Sequence, residues 1–379
     1  MDLELPLEGA PIREKILSWL RYRFELSRGG SGHNVRSMEG LRGLAVFLVF
    51  LVHYATFMHP WMKVDKSFMD FVAAIHTMGN SGVDLFFVLS GYLIYGSLIS
   101  RDQSFSIFMM RRVKRIYPAF LVVFLIYVLL SFIFREQSKI PSGIGPASLY
   151  LVQNLFLLPG LFPIEPIITV AWSLSYEMFY YLLIPLVISM LGMRRMELRL
   201  RAVLFAALAL LIFCYCAAFG GHVRLIMFIS GILLSESISG KLMSPPGSAV
   251  ALAALIVGLV STILPLEGFS GYSLKIAILF CSFFVLCFSC FAHPSAWLPK
   301  AFSWTPLRWF GNMSYSYYLL HGLALKTAFL FFPVHFPQNA PVLFWGLLPC
   351  AFILTLIPTT LLFLFVERPF SLVFPGKSH

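Results

Sequence analysis

Residues Arg36 to His53 read R-S-M-E-G-L-R-G-L-A-V-F-L-V-F-L-V-H, and this stretch decides what kind of molecule the chain is. Arg36, Glu39 and Arg42 cluster at the mouth of an apolar run, and His53 lies inside that run, eleven residues past Arg42. At a helical rise of about 1.5 Å per residue, His53 is roughly 16 Å deeper than Arg42, near the middle of a hydrocarbon layer about 30 Å thick. An ionisable side chain is costly at that depth and is read as functional by default.

Working outward, the composition says what surrounds this stretch. With 59% hydrophobic and 12% charged residues among 379, the chain carries about half the charge of a soluble globule. Its mean hydropathy is +0.84. The fold class is therefore an all-α polytopic membrane protein. Ten apolar segments are predicted to span, near 41–58, 82–99, 116–134, 172–191, 202–219, 223–239, 249–264, 273–291, 310–332 and 342–366. A cytoplasmic N-terminus puts 21 of the 28 Lys and Arg on the cytoplasmic side, so both termini are predicted to lie there. This asymmetry absorbs most of the net charge of +11, and no nucleic-acid partner is needed to account for it.

Before the first span, residues 1–35 form a polar extension with no signal peptide. Ile12, Ile16, Leu20 and Phe24 recur at helical spacing among Arg13, Lys15, Arg21 and Arg23. That pattern suits a helix on an anionic membrane face, or one docked on the protein's own cytoplasmic loops. Ser27 to Asn34 reads as a flexible linker. The membrane domain is placed at 36–370 and a short tail at 371–379. The Pro- and Gly-rich connection at 135–171 is predicted to be the only long outward loop, with a short interfacial helix over Ala147–Leu158. No internal repeat stands out, which weighs against an inverted-repeat transporter. The six cysteines all fall in apolar segments and read as packing residues, so no metal site is expected.

The polar residues inside or bordering the spans carry the chemistry. Arg36 and Arg42 form one cytoplasmic basic cluster, and Arg111, Arg112, Lys114 and Arg115 in R-R-V-K-R-I-Y-P form a second. Any single one reads most simply as a topology anchor, but two clusters beside a buried His point to a polyphosphate ligand. G-V-D-L-F-F-V-L-S-G places Asp84 at the outer end of the second span and Ser90-Gly91 near mid-depth, where small residues permit close approach. Trp172-Ser173-Leu-Ser-Tyr176-Glu177 puts a carboxylate about a turn and a half into the fourth span, where it is expected to meet His53. S-Y-S-Y-Y-L-L-H brings His321 to mid-depth, where a satisfied packing residue is the plainer reading. Glu367-Arg368-Pro369 reads as a helix stop with an exposed or locally bridged pair.

Taken in this order, R-S-M-E-G-L-R with Arg42-x10-His53, G-V-D-L-F-F-V-L-S-G-Y, R-R-V-K-R-I-Y-P, W-S-L-S-Y-E and S-Y-S-Y-Y-L-L-H resemble the acyltransferase-3 family of bacterial integral-membrane acyltransferases, from Arg36 to Pro369. The resemblance implies a ten-helix inner-membrane enzyme that moves an acyl group, most often acetyl, from cytoplasmic acyl-CoA to a hydroxyl of a cell-surface or exported glycan or glycolipid. It implies that Arg42 and His53 are required. The expected catalytic residues are His53, Glu177 and Asp84. Arg36, Arg42, Arg111, Arg112 and Arg115 are expected to hold the donor, and Trp172, Ser173, Tyr176, Ser90 and His321 the acceptor. Acyl-CoA enters as substrate and no permanent cofactor is expected; membrane lipids are the remaining partner. Met178 follows Glu177 where the family carries a second acid. The hydrolase-like domain fused to some members is not expected in this chain, which is then expected to act alone or with a separate partner. The competing class is a transporter or flippase of a lipid-linked anion, with buried acids and His relaying protons.

Overall fold

A computed structural model describes residues 11–26, 36–61, 66–331 and 340–372; the expected linker at Ser27–Asn34 and most of the tail lie outside them. The described residues form α1 (Ile12–Phe24), α2 (Arg36–Met58), α3 (Lys66–Gly79), α4 (Ser81–Ile99), α5 (Phe105–Ile133), α6 (Ile144–Leu155), α7 (Trp172–Met190), α8 (Leu198–Phe219), α9 (Ile226–Gly240), α10 (Ser248–Ser261), α11 (Gly268–Ala292), α12 (Trp297–Phe302), α13 (Thr305–Asn312), α14 (Ser314–Phe331) and α15 (Ala340–Leu362). The last continues as a π-helix over Phe363–Leu372.

Among the described residues all ten expected spans are largely helical, and eight helices are long and apolar enough to cross a membrane. The other two depart for local reasons. α10 has only 14 residues, ending where Ser261 and Thr262 turn their hydroxyls back on the Gly258 and Leu259 carbonyls, both at 2.7 Å. The 310–332 segment breaks at Met313 into α13 and α14. There Gly311 packs so tightly on α2 that an added Cβ would lie 1.7 Å from the Glu39 carbonyl oxygen, and the Asn312 amide donates to the Phe24 carbonyl at 3.0 Å.

Two connections, not one, are long at the end of the bundle opposite the arginine clusters. Between α2 and α4 the chain forms α3, an amphipathic helix that buries Val72 and brings Gly79 against the Leu48 backbone. Its charged Lys66 and Asp70 hid it from a reading keyed to uninterrupted apolar runs. In the 135–171 connection the short helix begins at Ile144, three residues earlier than expected, and the loop after it folds inward. Leu157 and Ile168 are buried, the Tyr117 hydroxyl of α5 donates to the Leu155 carbonyl at 3.2 Å, and the Asn154 side chain accepts from the Ile167 amide at 2.8 Å. Irregular backbone at membrane depth is tolerated when protein groups satisfy it in this way.

α4 and α9 pack backbone to backbone. A Cβ at Gly91 would lie 2.1 Å from the Phe228 carbonyl oxygen, and one at Gly231 2.0 Å from that of Val88. Small residues let two backbones meet where lipid offers no hydrophobic drive to association. On α5, Leu121, Leu125, Leu129 and Phe132 form an exposed stripe at helical spacing, the lipid-facing side of a span.

The C-terminal end of α1 docks on the protein. Phe24 stacks on Trp309 and Phe363, with ring centroids at 5.9 and 5.7 Å, while Ile12, Ile16 and Trp19 at the other end stay exposed. Beneath it, Arg308 bridges Glu39 at 2.8 Å and Glu25 at 3.5 Å, so Glu39 belongs to the packing of α2 on α13. The helix-stop reading of Glu367-Arg368 is corrected here. Glu367 is buried and accepts from the backbone amide and hydroxyl of Ser316 on α14, at 2.9 and 2.5 Å, while Arg368 donates to the Tyr22 carbonyl at 2.6 Å. Both residues tie distant elements together because the helix widens into a π-helix instead of ending.

Candidate active site

Three helices carry two cavities in succession. In α2 Arg42 precedes His53 and Phe57; in α5 Arg112, Arg115 and Ile116 precede Tyr127, Leu130 and Ser131; in α14 Ser314, Tyr315 and Tyr318 precede the stretch from Leu319 to Leu330. The first member of each set lines an inner cavity at the basic end, the second an outer cavity at the opposite end. Counted out to their open mouths they hold about 790 and 1250 Å³ of space not occupied by protein.

The inner cavity is completed by α4, which supplies Ser90, and by α7, which supplies Ser173 and Glu177. Of the five arginines expected to grip the donor, Arg42, Arg112 and Arg115 line it. Arg36 and Arg111 are exposed outside it, and Arg111 donates to Gln103 at 3.3 Å. Arg42 donates through Nε and Nη2 to the Ser314 hydroxyl, at 3.3 and 3.0 Å. The Arg112 guanidinium lies over the rings of Phe108 and Tyr181, 5.1 and 5.2 Å from their centroids, a cation–π contact. Tyr181 in turn donates its hydroxyl to Glu177, which also accepts from Ser90 at 3.4 Å. Glu177 and His53 therefore line different cavities, and the expected encounter gives way to a carboxylate that steadies the arginine platform.

His53 faces the outer cavity, with Lys139 and Lys326 on the same wall. Its aromatic neighbour is His321, whose ring centroid is 4.9 Å away at an interplanar angle of 66°. His321 is fully buried and stacked on the Tyr317 ring. Its Nδ1 is 2.9 Å from both the Tyr317 and the Tyr318 carbonyl oxygens, so that nitrogen must carry the proton. The lone pair then resides on Nε2, which has no hydrogen-bond partner among the described residues.

One thin wall divides the cavities. The hydroxyls of Tyr318 and Ser173, which face the inner cavity, are 2.7 Å apart, and both reach the Val170 carbonyl, at 3.0 and 3.2 Å. Val170 lines the outer cavity. Tyr318 was not singled out from the sequence; only its place in S-Y-S-Y-Y-L-L-H hinted at it.

The remaining expected residues gather elsewhere. Asp84 is fully buried in the first turn of α4, 3.7 Å from Arg224 Nε, and its carboxylate accepts no hydrogen bond among the described residues. Trp172 and Tyr176 line a third cavity, beside Arg224. No group of three or more His, Cys, Asp or Glu that could hold a metal occurs among the described residues.

Comparison with known proteins supplies the chemical class. A family model described as an acyltransferase domain matches residues 35–364. The peptidoglycan O-acetyltransferase OatA of Listeria monocytogenes is 28% identical over 319 residues, 76% of this chain and 49% of the relative. The O-acetyltransferase OatA of Staphylococcus aureus is 30% identical over 326 residues, 75% and 49%. The chain thus spans about half the length of the curated relatives it matches. No solved structure matches the chain.

Proposed function

Since the chain belongs to the acyltransferase family whose model covers residues 35–364, we propose that it is an acyl-CoA-dependent O-acyltransferase of the bacterial inner membrane, passing an acetyl-sized group from a cytoplasmic donor to a hydroxyl of an exported or cell-surface glycan. The observation that carries this reading is the pair of cavities sharing the Tyr318–Ser173 wall, basic on one side and lined by an imidazole on the other.

On this reading the CoA phosphates rest on Arg42, Arg112 and Arg115, whose forks match phosphate oxygens, and the pantetheine arm runs up the inner cavity to the wall. Glu177 acts through Tyr181, holding the ring on which Arg112 lies. The acceptor hydroxyl enters the outer cavity and gives its proton to His53 while its oxygen attacks the thioester carbonyl carbon. The tetrahedral centre collapses, the C–S bond breaks, and the CoA thiolate takes up the proton released from the imidazolium. A His53 acyl intermediate would divide the same transfer into two steps. His321, its proton committed to backbone carbonyls, sets its ring against His53 with the Nε2 lone pair unspent, free to accept from the imidazolium once His53 is protonated, and is a positioning residue.

The purified protein incubated with labelled acetyl-CoA and an oligosaccharide acceptor tests this. Transfer is expected in the wild type and a loss on the order of 10²-fold or more in His53→Ala at equal expression. Full transfer by that variant would remove His53 from the reaction, and absence of any acetyl-CoA turnover by the wild type would remove the enzyme reading.

A further inference from the structure

The third cavity contains groups that the transfer reaction leaves without a task. It holds about 610 Å³, its open mouth included, at the end of α7 away from the arginine clusters, and its lining includes Trp172, Tyr176, His222, Arg224 and Tyr272. Arg224 is its one guanidinium. The side chain is 20% exposed, its Nε donates to the Tyr272 hydroxyl at 2.8 Å, and Asp84 stands 3.7 Å behind it, beyond hydrogen-bond reach. Its two Nη groups make no hydrogen bond to protein among the described residues, and Arg224 lines the cavity, so these donors are left for a ligand or water. The fork is thus fixed at its base and open at its tip.

The rings around it say what accompanies the anion. Trp172 and Tyr176 meet edge to face at 5.6 Å and 83°, and the Tyr176 hydroxyl is fixed by His222 Nδ1 at 2.6 Å, so both rings are held in place. Rigid aromatic groups beside a few directed polar donors suit a sugar ring more than a mobile lipid headgroup. Position agrees. Thr169 and Val170 line the His53 cavity and Trp172 lines this one, so a chain occupying both crosses a single short turn, Thr169–Trp172.

We infer that this cavity is a second acceptor subsite, which takes a carboxylate- or phosphate-bearing sugar residue of the glycan whose hydroxyl is acylated at His53, with Arg224 as the anion-binding group. The subsite rests on the glycan-acyltransferase reading and extends it from "a glycan" to an acidic glycan longer than one residue.

Binding tests it without turnover. The whole protein in phosphatidylcholine nanodiscs is titrated with tetragalacturonate and with neutral chitotetraose. Tetragalacturonate is expected to bind more tightly, and Arg224→Gln to weaken it by about 10-fold or more while leaving chitotetraose unchanged. Tyr272→Phe, which keeps the ring and drops the oxygen that aims Nε, is expected to weaken it less, in the same direction. Should Arg224→Gln melt early by losing the partner of Asp84, the double variant Asp84→Asn with Arg224→Gln removes both charges and carries the same expectation. Equal affinity for the two probes, or tetragalacturonate binding indifferent to Arg224, overturns the subsite. So does an Arg224→Gln effect that appears only when phosphatidylglycerol is added, since the ligand is then a lipid phosphate. The enzyme reading is judged separately, by acetyl-CoA turnover in the wild type and in His53→Ala, because the binding comparison at Arg224 involves no turnover.

Discussion

At the scale of single residues, the catalytic reading turns on which groups can touch. His53 was legible because an imidazole eleven residues beyond Arg42 in an unbroken helix must lie deep, and the structure puts the two at the walls of successive cavities. Its partner was not legible. His321 lies far along the chain, and only packing of α14 against α2 brings the rings to 4.9 Å. Glu177 had the right depth to meet His53 from the other direction, but depth along a helix says nothing about the face a side chain turns to. His321→Phe keeps a ring to stack on Tyr317 and deletes the lone pair. It is expected to lower kcat by on the order of 10²-fold with little change in the KM for acetyl-CoA, the signature of lost positioning. Glu177→Gln is expected to do the opposite, raising that KM several-fold through Tyr181 and Arg112 while sparing kcat, and steady-state kinetics on both variants separate the roles.

At the scale of elements, the apolar pattern located eight of the ten expected spans as helices long enough to cross, among the described residues, because a segment facing lipid tolerates few charges and each exception shows. The pattern said less where local polar groups redirect the chain. α10 is cut short by two hydroxyls, α13 and α14 divide at Met313, and α3 was invisible to a search for uninterrupted hydrophobicity. Ser90-Gly91 was correctly read as a place of close approach, and its two residues divide the labour: Gly91 meets α9 while Ser90 faces the inner cavity. Gly231→Leu should therefore drive α9 off α4, with destabilisation of about 1–3 kcal/mol or outright loss of folded protein, read as a lower melting temperature in detergent. Leu125→Ala, on the lipid-facing stripe of α5, is expected to leave that temperature nearly unchanged.

At the scale of the whole molecule, two cavities approach each other from opposite ends of one bundle. In a background with the six native cysteines replaced by serine, Ser90→Cys should react with a membrane-impermeant thiol reagent from the basic side only, and Lys139→Cys from the other side only. Reaction of both from one side would show a single vestibule. Acetyl-CoA should protect Ser90→Cys and leave Lys139→Cys reactive.

The Tyr318–Ser173 partition has an electrical consequence. When water fills the spaces on either side, the insulating layer at this point shrinks from the thickness of a bilayer to roughly that of one side chain, and the transmembrane voltage falls almost entirely across it. A neutral acetyl group passing there feels nothing, whereas any ion or proton making the same step gains or loses about 2.3 kcal/mol for each 100 mV. On the proposed mechanism the acetyl group crosses uncharged while the acceptor proton crosses the other way, from His53 to the CoA thiolate, so each turnover carries one charge through this field and its rate should respond to voltage.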